Sequence, residues 1–83
     1  VETLTAYRQK IDRLKQNELN KALMELRSGS NPEQVVASLA HKLSNKIMHQ
    51  PTQALKQAGA EGRDDLLEWA QTLLGIDVND NPA

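Results

Sequence analysis

The sequence predicts an all-α protein: a long N-terminal helix followed by two or three shorter helices forming a helical bundle. Three observations carry that prediction. Apolar residues recur at three- and four-residue intervals along most of the chain, the period of helices that each bury one face. Alternating runs rich in Val, Ile, Thr and aromatics are missing, so nothing reads as a strand. Hydrophobic residues make up 39% of the 83 positions but aromatics only 2%, with Tyr7 and Trp69 alone and no Phe. The core must therefore come from Leu, Ile, Val, Ala and Met, which suits packed helices better than a β-sandwich.

The first helix is expected from about Glu2 to Arg27. Leu4, Tyr7, Ile11 and Leu14 keep a 3-4-3 spacing like that of a packing seam. The register then reads as slipping, with Leu19, Ala22, Leu23 and Leu26 carrying a second stripe. Ser28-Gly29-Ser30 ends the helix, Asn31 caps the next, Pro32 takes its first turn and Glu33 favours the positive end of the dipole. The second helix, about Pro32 to His49, presents Val35, Val36, Leu39, Ala40, Leu43 and Ile47. Pro51 has no N–H to donate and disfavours the α region at Gln50, so the reading places a rigid corner there. Asn45, His49, Pro51 and Thr52 form that corner: His49 braces the helix end, Asn45 reaches a loop or another helix, and Thr52 caps or opens the next segment. Ala54, Leu55 and Ala58 make a short third helix, broken around Gly59 and Gly62. The fourth, about Arg63 to Leu74, starts with Asp64 and Asp65 and buries Leu66, Leu67, Ala70, Leu73 and Leu74. Gly75 and Ile76 match a left-handed C-terminal cap. Residues 1–76 then form one helical domain and 77–83 a flexible tail.

Composition excludes several functions. Without Cys there is no disulfide scaffold, thiolate zinc site or thiol nucleophile in these residues. No apolar run is long enough to span a membrane and no signal peptide is visible, which fits a cytoplasmic setting. The chain opens at Val1 rather than Met and reads as a piece of a longer one. Charge is −1 overall, but the front is mildly basic and the back acidic. Acids interrupt the bases along the first helix, so that face reads as solvated rather than as a nucleic-acid footprint.

No catalytic, cofactor-binding or metal site is expected. His41 and His49 are eight apart, about two helical turns, which is too far to share one metal ion. Asp64 and Asp65 point different ways as first-turn residues. Lys46 reads as solvated unless an acidic neighbour meets it. The glycines lack the strand-before-helix setting of a phosphate cradle.

Length carries the functional clue. A 26-residue helix is about 39 Å long, whereas a compact chain of this size is about 30 Å across. The first helix should overhang, leaving Leu4, Tyr7, Ile11 and Leu14 without a lid in their own chain. Self-association covers such a seam. The alternatives are that the helix bends back or that preceding residues cover it. Leu23 and Leu26 divide between core and interface, and Trp69 is either core edge or interface anchor.

The order Tyr7-Arg8, the Leu19–Leu26 stripe closing at Gly29, LAHKLSNKIMHQPTQALKQAGAEG, and a Leu-rich helix ending LLGI resembles the C-terminal dimerisation domain of bacterial glutamyl-tRNA reductases. The likeness covers Leu4 through Ile76. Its most specific part is Lys42-Leu43-x-Asn45-Lys46-x-x-His49-x-Pro51-Thr52. The resemblance implies a non-catalytic module that completes its bundle by joining two subunits into a homodimer. The parent enzyme it implies uses NADPH, a cysteine nucleophile and a separate nucleotide-binding domain to reduce glutamyl-tRNA to glutamate-1-semialdehyde, at the entry to tetrapyrrole synthesis. This fragment itself would hold no cofactor and contact tRNA little or not at all. The other readings are a helical nucleic-acid-binding module and a protein adaptor.

Overall fold

A computed structural model describes residues 1–78. Among them are three α-helices and no strand: α1 (Glu2–Arg27), α2 (Pro32–Ala60) and α3 (Asp64–Leu74). The all-α class is the one expected. Its second element is not: α2 has 29 residues against 26 in α1, so the helices after the first are not all shorter. The expected tail falls partly outside the described residues, which end at Val78.

Local hydrogen bonding sets the boundaries. At the end of α1, Gly29 (φ 92°) turns the chain. Its N–H donates to the Leu26 carbonyl (3.1 Å), and the Ser30 N–H to that of Glu25 (3.1 Å). This pair of bonds satisfies carbonyls that would otherwise end the helix unpaired. The same closure recurs at Gly62-Arg63 and at Gly75-Ile76. Asn31 caps α2 as expected, its Oδ1 accepting from the Gln34 N–H at 3.2 Å.

The corner at Pro51 does not form. Pro51 lies inside α2, which runs unbroken from Pro32 to Ala60 and absorbs the short third helix. An interior proline loses one backbone hydrogen bond and crowds the preceding turn. Stopping and restarting would instead leave up to about eight terminal backbone groups to be satisfied. With good helix formers on both sides, continuing is the cheaper solution.

The chain divides into two compact units, Val1–His49 and Gln50–Ala83. The second unit begins one residue before Pro51. In the first unit, α1 and the start of α2 make a helical hairpin whose buried residues are Glu18, Ala22 and Val35. Ile11, Leu14, Leu39, Leu43 and Ile47 are half-buried. In the second, Ala58 is buried and Leu55, Leu67 and Ala70 are half-buried, whereas Leu66, Leu73 and Leu74, expected inside, are exposed.

Candidate interaction surface

The α1 seam does not slip. After Leu14 the buried positions are Glu18 and Ala22, and Glu25 is half-buried, so the 3-4 spacing that begins at Leu4 continues through a carboxylate. Leu19, Leu23 and Leu26 are exposed along the flank of that stripe. Glu18 is 2% exposed, and Lys46 of α2 reaches it at 2.5 Å, with Lys21 at 3.5 Å. The hydrogen bond from Lys46 holds the Glu18 carboxyl below its ordinary range; burial opposes that and the Lys21 charge adds to it. The same bond, followed by the charge of Glu18, raises the Lys46 ammonium. Lys46 is therefore the cross-helix partner of a buried acid. The signal that would have found it is Glu18's place four residues beyond Leu14, on the seam itself.

Ahead of Glu18 lie sixteen residues of α1, and α2 continues for fourteen residues beyond Lys46. Leu4 and Tyr7 are 50% and 51% exposed, and a shallow depression opens beside Tyr7, Arg8, Ile11 and Asp12.

The second unit carries its own uncovered face. Leu66, Trp69 and Leu73 follow one another at i, i+3 and i+7 along α3, and Trp69 and Leu73 are 62% and 71% exposed. Trp69 is thus not core in this chain. The neighbouring face of α3, with Leu67, Ala70 and Leu74, lines a groove shared with Leu55, Ile76 and Val78. At the head of α3, Arg63 forks onto Asp65 at 3.0 and 3.1 Å. This pairing lowers the Asp65 carboxyl below its usual range and raises the guanidinium.

The residues assigned to the corner are not gathered into one. Asn45 lies one helical turn from His41, its Nδ2 3.1 Å from the His41 Nε2, which accepts in the neutral Nδ1–H tautomer. His49 and Thr52 are exposed positions in the middle of α2, so His49 has no helix end to brace. Among the described residues no group of three His, Cys, Asp or Glu side chains could hold a metal ion. A nicotinamide dinucleotide does not fit them either: the glycines at positive φ close helices, and no strand precedes them. No helix among the described residues is long and apolar enough to cross a membrane. What the arrangement offers among the described residues is exposed apolar surface on α1 and α3.

Comparison with known proteins gives matches over most of the chain. The family model described as glutamyl-tRNAGlu reductase, dimerisation domain, matches residues 1–76. The glutamyl-tRNA reductase of Teredinibacter turnerae is 46% identical over 77 residues, covering 93% of this chain and 19% of that protein. Those of Pseudomonas putida and Pseudomonas aeruginosa are 50% identical over 76 residues and 46% over 77, covering 92% and 93% of this chain and 18% of each relative. No solved structure matches. The chain thus spans about a fifth of the length of these curated relatives. Within the matched residues, the KLxNKxxHxPT run holds the lysine at position 46 that neutralises the buried Glu18. By the match over 1–76, this chain belongs to the glutamyl-tRNA reductase dimerisation-domain family.

Proposed function

We propose that this chain joins two copies of a glutamyl-tRNA reductase into a homodimer, with residues 1–76 as the joining module. The observation that carries the reading is the imbalance between buried and exposed apolar residues. The buried apolar set is Ala22, Val35 and Ala58, while Leu4, Tyr7, Leu23, Leu26, Trp69 and Leu73 stay exposed. Ala22, Val35 and Ala58 are small, and the larger Ile11, Leu14, Leu39, Leu43, Ile47, Leu55 and Leu67 are only half-buried, which leaves little apolar burial to set against the conformational entropy of three ordered helices. A second copy supplies the missing apolar cover. In this reading Leu4, Tyr7, Ile11, Leu14, Leu23, Leu26 and Trp69 are the interface residues.

The chemistry of the whole protein belongs to the same proposal. The relatives are reductases of glutamyl-tRNA by name. The parent reaction is reduction of the glutamyl ester to glutamate-1-semialdehyde, with NADPH as hydride donor bound outside these residues, in the cytoplasm where tRNA is charged. This module's part is architectural: it fixes two catalytic arms to one base and touches tRNA little. Sedimentation equilibrium of the chain tests the reading. A dimer is expected, and Ile11→Asp should weaken it more than it lowers the helix content of the monomer. A single monomeric species at high micromolar concentration would overturn the proposal.

A further inference from the structure

The two uncovered stripes have the same dimensions and opposite surroundings. Leu4, Tyr7 and the half-buried Ile11 on α1 and Leu66, Trp69 and Leu73 on α3 are each spaced i, i+3, i+7, so each runs about 10 Å along its helix. Each carries one amphipathic aromatic anchor, the residue type that dominates interface energetics. The charge around them differs in sign. The first unit has eight Lys or Arg against five Asp or Glu, a net +3, and the second has two against six, a net −4. Arg8 and Lys15 stand beside the α1 stripe, with Asp12 between them 3.6 Å from Lys15, and Asp65, paired with Arg63, and Glu68 stand in the first two turns of α3.

Resting on the dimerisation reading, we infer that the interface is heterotypic: the N-terminal half of α1 in one copy docks on α3 of the second copy. A two-fold axis then repeats the contact, so that each copy gives one α1 face and receives one on α3. Pairing α1 with α1 sets the bases around Tyr7 against themselves, and pairing α3 with α3 does the same to the acids. Like charges across an interface are disfavoured, whereas opposite ones steer encounter and fix register. The apolar stripes supply the contact area and the charges decide which stripe meets which. The dimer should therefore weaken as salt rises.

Charge reversal on each face tests the inference. One variant carries Arg8→Glu and Lys15→Glu, the other Asp65→Lys and Glu68→Lys, and dissociation constants are read by sedimentation velocity at low salt. Each should weaken self-association roughly tenfold or more. An equimolar mixture should recover to within roughly threefold of the parent, because both contacts in the mixed dimer are again complementary. The chain bearing all four substitutions should recover likewise. An α3 reversal that dimerises like the parent, or a mixture that stays monomeric, overturns the inference and leaves dimerisation standing. A monomeric parent chain removes both. Far-ultraviolet circular dichroism checks that each variant keeps its helices. If the α3 reversal loses them, Trp69→Ser with Leu73→Ser reads the same contact: weakened self-association supports it and parent-like affinity overturns it.

Discussion

Glu18 shows how one side chain sets the register of two helices. A carboxylate at a seam position costs desolvation energy unless a cation meets it there. Lys46 does so from α2, and sliding the hairpin by one turn, about 5.4 Å, would leave the acid buried without that partner. Its pH dependence has a definite sign. The folded carboxyl titrates below its ordinary value of 4.5, so its contribution to stability is complete above that value. It is lost as pH falls through 4.5 toward the lowered value. Lys46 behaves in mirror image, its contribution holding below 10.5 and fading only as pH rises through the raised value. Thermal melts of the parent and Glu18→Gln should therefore differ most near neutrality and converge in acid. Parallel curves down to acid pH would mean that Lys46 does not hold the carboxylate charged.

Among the elements, α2 departs most from local expectation. Its ends follow local rules: Asn31 caps the start, and Gly62 supplies the positive φ (67°) that turns the chain beyond Ala60. Its middle does not, because Pro51 is a breaker by local preference yet lies within 29 helical residues. Substituting it should then stabilise rather than loosen: Pro51→Ala is expected to raise the melting temperature, by up to about 3 kcal/mol of added stability. A lowered melting temperature would show instead that the proline shapes packing around α2. The ends of α1 and α3 were legible for the same reason as the start of α2: each is decided by hydrogen bonds spanning three to five residues.

At the scale of the whole molecule, stability is expected to depend on concentration. A chain that completes its apolar cover with a second copy gains folding free energy from association. Diluting the protein tenfold should lower its melting temperature by a few degrees, and Ile11→Asp should abolish that dependence. A melting temperature indifferent to dilution in the parent would mean that each chain is stable without its twin. The exposed stripes of α1 and α3 are where such cover is needed, and the opposite net charges of the two units bias how it is found.

The sequence alone determined the helical class, the span of α1 to the residue, the start of α2, the end of α3 and the family likeness centred on Lys42–Thr52. All of these rest on periodicity, capping and short-range hydrogen bonds, which act within a turn or two. Only the tertiary structure decided which of two adjacent apolar stripes turns inward. It put Glu18 in the seam instead of Leu19, and covered Leu67 while leaving Leu66 and Leu73 exposed. A residue's burial depends on the neighbour packed against it, and for Glu18 that neighbour, Lys46, arrives from the other helix of the hairpin.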